Sequence, residues 1–200
     1  KNSKLPKRFL FTGRGDPLFY LPCIKAYMKV YKELGYKGYT IIYTSGSQLT
    51  PLILTKLVSY GIDELRFNLV ATDFSQHTLS KMEKTKRKMK ISVQVPLLSI
   101  YEKKLLEVLP SLNDLRITEL VLSYTHIVSQ AGAEKLQKVL PKTTPLTKLN
   151  NKVALIDNQP MIDNIRSHIE QKKYKINLNV ENPTGIERTT LAQVSKLDSS

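Results

Sequence analysis

The feature that most constrains this chain is a rhythm. Short runs rich in Val, Ile and Leu recur about every 25 residues, each followed by a turn and a stretch with helical periodicity. The runs fall at residues 8–12, 39–43 (YTIIY), 65–70 (LRFNLV), 91–95 (ISVQV) and 119–124 (ELVLSY). Between them, helices are predicted over 22–34, 51–60, 73–88, 100–109 and 130–140. The first carries Ile24, Tyr27, Met28, Tyr31 and Leu34 at spacings of three and four, with Gly35 placed for a left-handed cap. Thr50-Pro51 reads as an N-cap followed by proline at N1, and Gly61 ends that helix. Asp73 is the expected cap of the third helix, and Pro110 the expected stop of the fourth.

Strands that alternate with helices imply βαβ units and a parallel sheet, the crossover helices lying outside a barrel or on both faces of an open sheet. The apolar runs predict strands buried on both faces. After residue 140 the rhythm weakens. Residues 141–152 read as a linker, 152–156 and 175–180 as strands, and 161–172 as a helix. The expected organisation is a core over 1–140, an α/β extension of the same domain over 141–181, and a flexible polar tail over 182–200.

At 200 residues the chain is long enough for one sizeable core. No run approaches the roughly 18 apolar residues of a membrane span. The single cysteine, Cys23, excludes an internal disulfide, which fits a reducing compartment. It is expected to be a buried structural residue of the first helix. Residues 1–8 are basic, but the short apolar run after them does not read as a signal peptide, so the cytoplasm is the expected location. The net charge is +14, and Lys81, Lys84, Lys86, Arg87, Lys88 and Lys90 crowd one stretch opposed only by Glu83. That run has the composition of an RNA or polyanion footprint. A solvated helix face is the preferred reading, because no aromatic residues interleave as stacking platforms.

In a parallel α/β sheet ligands bind at the carboxyl ends of the strands. Those ends read Thr12-Gly13-Arg14-Gly15-Asp16, Thr44-Ser45-Gly46, Asn68 with Thr72-Asp73, Gln94 with Pro96, and Tyr124-Thr125-His126. Each would serve equally as ordinary loop chemistry; together they describe a polar rim suited to a ligand with several functional groups. Arg14-Gly15-Asp16 spells a cell-adhesion tripeptide, but it sits at the end of a predicted buried strand. Gly13-x-Gly15 is not a dinucleotide loop, since Leu18 holds the place of the third glycine and Pro17 lacks a backbone donor. No Gly-Lys-Ser/Thr follows, which excludes a P-loop. The three histidines, His77, His126 and His168, lack metal-ligand spacing, so no zinc site is expected. Ser45 has no His–Asp partner signal for a hydrolase triad.

The serial order of these segments resembles the radical S-adenosylmethionine superfamily, over residues 8 to 128. Gly13-Arg14-Gly15-Asp16-Pro17 is similar to the Gly-Gly-Glu-Pro-like turn after that family's second strand, with Arg14 and Asp16 as departures. Thr44-Ser45-Gly46 resembles the turn after the third strand, residues 57–73 the approach to the fourth, and ISVQVP the fifth. The resemblance implies a partial, open, TIM-like βα barrel that positions S-adenosylmethionine for 5′-deoxyadenosyl radical chemistry. It implies that backbone groups of Gly13, Arg14 and Gly15, and the Asp16 carboxylate, hold the amino group. Thr44, Ser45 and Asn68 would meet the carboxylate or ribose, Val95 the adenine, and His126 a further contact. The family's cluster motif, Cys-x3-Cys-x2-Cys, is missing, and a 4Fe-4S cluster needs several thiolates. Two expectations follow. The chain is a piece of an enzyme whose cluster motif lies upstream, or a degenerate relative that serves as a binding module with a basic helix for RNA or an acidic partner. Alone, it is not expected to cleave S-adenosylmethionine reductively. The substrate, whether small molecule, peptide, protein or RNA, is not legible.

Overall fold

The apolar run after the basic opening forms β1 (Arg8–Phe11), and its outward phenylalanines pack on the helix that follows. Phe9 meets Tyr31 with ring centroids 4.6 Å apart, and Phe11 meets Tyr27 at 6.2 Å. A computed structural model of the chain describes residues 7–13, 15–127, 138, 146–148, 154–156 and 158–181. After β1 come α1 (Leu21–Glu33), β2 (Tyr39–Thr44), α2 (Pro51–Tyr60), β3 (Glu64–Asn68), α3 (Gln76–Lys86), β4 (Lys90–Pro96), α4 (Glu102–Asp114) and β5 (Leu120–Ser123). The described remainder contributes β6 (His126–Ile127), β7 (Leu146–Lys148), β8 (Ala154–Ile156), α5 (Gln159–Gln171) and β9 (Leu178–Val180).

Six strands form one sheet in the order β1-β2-β3-β4-β5-β9. Every pairing in it is parallel, and the sheet curves into an open half-barrel. The expected partial barrel is therefore the fold observed. Its last strand comes from beyond the predicted linker: β9 pairs with β5, and α5 buries Met161, Ile162, Ile165 and Ile169. A second, antiparallel sheet has the order β6-β8-β7. The strand expected at 152–156 thus belongs to this small sheet, and the expected linker contains β7. The expected helix over 130–140, Arg14 and the tail from 182 lie outside the described residues, except for Lys138, which sits in a turn.

Local chemistry set most boundaries. Thr50 accepts a hydrogen bond from the Ile53 N–H, with Pro51 in the first turn, and Gly61 closes the helix at φ 86°. Gly35 takes φ 70°, and the Tyr36 N–H returns to the Tyr31 carbonyl, a Schellman-type stop. Two boundaries differ from expectation. Asp73 does not cap α3; it and Phe74 adopt left-handed φ of 49° and 56°, closing a turn over Leu69, and Ser75 caps the helix instead. Pro110 does not stop α4, because it lies on the exposed face while Leu105, Leu109 and Leu112 anchor the helix on both sides of it. That burial outweighs one lost backbone bond, since each buried leucine contributes about 1.5–3 kcal/mol.

The core lies between the sheet and its helices, where Ile42, Leu65, Phe67, Val93, Val95 and Leu122 meet Leu57, Met82, Leu105 and Ile165. Contact with α1 is narrower than its periodicity suggests: Ile24 and Met28 are buried, but Tyr27, Leu34 and Cys23 are exposed. This corrects the expected buried cysteine, which the helix phase turns outward. The strands are not apolar on both faces either. Glu64, Arg66 and Asn68 alternate with Leu65 and Phe67 along β3, and Ser92 and Gln94 alternate with Val93 and Val95 along β4. The inner face of the half-barrel is polar. Among the described residues no helix is long and apolar enough to cross a membrane.

Candidate functional site

The turn after β1 is built around Asp16. Its Oδ1 accepts from the Leu18 N–H at 3.0 Å and so caps the short 3-10 turn Pro17–Tyr20. The same carboxylate reaches the end of β2: Thr44 Oγ1 lies 2.8 Å from Oδ2, the Ser45 N–H donates at 2.8 Å, and Ser45 Oγ at 2.7 Å. Two strand ends are thereby tied by one side chain. The turn after β2 closes further on itself, with the Gly46 N–H donating to Thr44 Oγ1 and the Ser47 N–H to Ser45 Oγ. Gly46 has φ 76°, and a Cβ there would lie 2.9 Å from the Phe67 ring, so no other residue fits without a shift.

A cleft of about 440 Å³ opens at these strand ends. It is bordered by Thr12, Gly13, Gly15, Asp16 and Pro17 from β1 and its turn, Tyr43, Thr44 and Ser45 from β2, Asn68 and Ala71 from β3 and its turn, and Gln94 from β4. Its size is that of a small-molecule site. A Cβ added at Gly13 or Gly15 would meet nothing within 4 Å, and Gly15 has φ 87°. Asn68 Oδ1 accepts from the Ala71 N–H, folding the β3 turn back toward the cleft. Gln94 donates through Nε2 to Ser123 Oγ at 2.9 Å, while its buried Oε1 has no partner among the described residues.

Below the cleft, the inner face carries a buried ion network. Arg66 donates to Ser92 Oγ at 2.9 Å, Tyr43 Oη at 3.2 Å, Glu64 Oε1 at 3.2 Å and Glu119 Oε2 at 2.7 Å. Ser92 Oγ also donates to Glu64 Oε1, and Asn179 Nδ2 to Glu119. Burial pushes the Tyr43 phenol above its usual pKa, with the Arg66 guanidinium opposing. Burial also raises the Glu181 carboxyl, with Arg66 opposing and Glu119 reinforcing.

Of the residues singled out from the sequence, the cleft brings together Gly13, Gly15, Asp16, Thr44, Ser45 and Asn68. The Val95 side chain instead faces the helices and is fully buried in the core. Strand alternation puts its neighbour Gln94 in the cleft. His126 opens β6, pairing with Leu155 in the small sheet. The Arg66 network was missed, although polar residues at every second position of β3 and β4 carried its signal.

No protein-family profile matches this sequence, and no curated protein matches it. Solved structures do. SuiB of Streptococcus suis superposes with a TM-score of 0.57 at 14% identity, over 88% of this chain and 39% of SuiB. The form described as bound to S-adenosylmethionine gives 0.56 at 11% identity, again over 88% and 39%. The form bound to precursor peptide SuiA gives 0.57 at 12%, over 88% and 38%. The chain thus spans about two fifths of those chains, and at such identities the likeness speaks for the fold. That fold is the open half-barrel of parallel strands described above.

Proposed function

We propose that this chain positions S-adenosylmethionine, as the cofactor-holding part of a radical S-adenosylmethionine enzyme. The observation that carries the reading is the cleft: six residues implied by the resemblance border it together. The supporting comparison is the shared fold with a protein solved with that molecule bound.

The cleft suits the ligand chemically. Gln94 Oε1 is a buried acceptor without a donor among the described residues, and a ribose hydroxyl or the adenine amino group would supply one. The Asp16 carboxylate already accepts from Leu18, Thr44 and Ser45. Its part is therefore to hold the turn that ends at Leu18 against the β2 turn, leaving the ligand's amino group to the backbone carbonyls of Gly13 and Gly15. Thr44 and Ser45 form the wall beside it, and Asn68 the far rim. Bound S-adenosylmethionine would supply 5′-deoxyadenosyl radical chemistry only when a donor outside these residues gives it one electron, with methionine as the leaving group. A 4Fe-4S cluster does not fit the residues of this chain: it holds one cysteine, and that thiol is on the exposed side of α1. Cluster ligands would have to come from outside these residues. The peptide-bound neighbour makes a peptide the substrate class to test first.

The alternative, a basic helix that recruits RNA, draws less support. Lys81, Lys86, Lys88 and Lys90 all make contacts within the chain, to backbone carbonyls, Glu83, Thr55 and the Tyr39 ring. Calorimetric titration decides. S-adenosylmethionine should bind with Kd below about 1 mM, and Gln94→Leu should weaken it about tenfold. Absence of binding to the unaltered chain, with salt-dependent RNA affinity in its place, would overturn the reading.

A further inference from the structure

Lys81 opens the basic run, yet its ammonium turns to the rim of the cleft. Nζ donates to the Gly46 carbonyl at 2.7 Å and to the Ser47 carbonyl at 2.9 Å. We propose that Lys81 is a positioning residue for the ligand cleft, clamping the β2 turn from outside through these two carbonyls. This deepens the S-adenosylmethionine reading and rests on it for the identity of the ligand.

Planarity of the peptide bond couples the outer and inner sides of this turn. The Gly46 C=O and the Ser47 N–H belong to one rigid plane and point in opposite directions. Turning that carbonyl outward to Lys81 therefore turns the Ser47 N–H inward, where it donates to Ser45 Oγ at 3.2 Å. Ser45 Oγ in turn donates to Asp16 Oδ2 at 2.7 Å, and Asp16 holds the Leu18 N–H. A continuous chain of hydrogen bonds thus runs from α3, across the β2 turn, to the turn after β1. Its two ends are charged, which strengthens each bond between them. One turn earlier on α3, Thr78 Oγ1 donates to Thr72 Oγ1 at 2.9 Å, just past Asn68 and Ala71. The helix thereby braces two of the segments that border the cleft. A surface lysine with only a solvation role would make neither carbonyl contact.

The test uses the full chain with Lys81→Met and Lys81→Arg. The readouts are backbone amide order parameters for Gly46 to Gln48 in the free protein, and the calorimetric Kd for S-adenosylmethionine. In Lys81→Met the order parameters should fall from about 0.85 to below about 0.6, and affinity should drop about tenfold. Those of Val93, in the sheet, should not change. Lys81→Arg, which keeps a charged donor, should recover most of both effects. Unchanged order parameters, or unchanged affinity despite a loosened turn, would overturn the proposal; so would a loss of order that extends to Val93. If the unaltered chain does not bind S-adenosylmethionine, the ligand reading fails on that arm alone. The order parameters need no ligand and still decide whether Lys81 holds the turn.

Discussion

The Asp16 carboxylate accepts from both the backbone N–H and the hydroxyl of Ser45, 29 residues further along the chain. One short side chain thereby joins the ends of two parallel strands and sets the width of the cleft between them. Asp16→Asn keeps the size but loses the charge and half the acceptor capacity. We expect it to cost about 1.5–3 kcal/mol of stability, the range for hydrogen bonds to charged groups. Affinity for S-adenosylmethionine should fall with it, and urea unfolding with a matched titration checks both.

Gly46 is constrained twice, by its φ of 76° and by the Phe67 ring, whose Cε1 would lie 2.9 Å from an added Cβ. Gly46→Ala should therefore destabilise by about 2 kcal/mol or more, summing left-handed strain and overpacking. Gly13→Ala, where a Cβ meets nothing within 4 Å, should leave stability nearly unchanged. Paired urea curves separate the two.

Arg66 sits between Glu64 and Glu119, all three side chains largely buried. Arg66→Met removes the cation between them and leaves two carboxylates facing each other, a change that costs about 3–5 kcal/mol for a buried pair. Paired urea unfolding curves would measure the loss.

Burial holds the Glu181 carboxyl above its ordinary pKa, so the folded state binds its proton more tightly than the unfolded chain does. Stability from this group is fully present below the ordinary glutamate range and is lost as pH rises through the raised value. Glu181→Gln should match the unaltered protein in acid and melt at a higher temperature at neutral pH. Equal Tm at both pH values would show that Glu181 carries no such linkage.

Much of the fold was legible because its signals are local. Thr50-Pro51 and Gly61 bound α2 through groups within four residues of each other, and the apolar periodicity of the other helices follows the same rule. The boundaries that were misread, at Asp73 and Pro110, are places where tertiary burial of Phe74 and Leu112 overrode a local preference. The cleft was legible as a set of strand ends, but Val95 shows the limit: placing a ligand contact there required knowing which face of β4 is the lumen.

By itself the sequence determined the alternation of strands and helices and most of their caps, which depend on contacts a few residues apart, and with the alternation the parallel sense, because a crossover helix separates successive strands. Only the tertiary structure decided that the inner face is polar, that Ser45 donates to Asp16, and that Lys81 leaves the basic run to donate to the carbonyls of the β2 turn. Those features join groups 26 to 53 residues apart. The chain carries each partner's chemistry in its sequence, but their pairing depends on the register and curvature of the sheet.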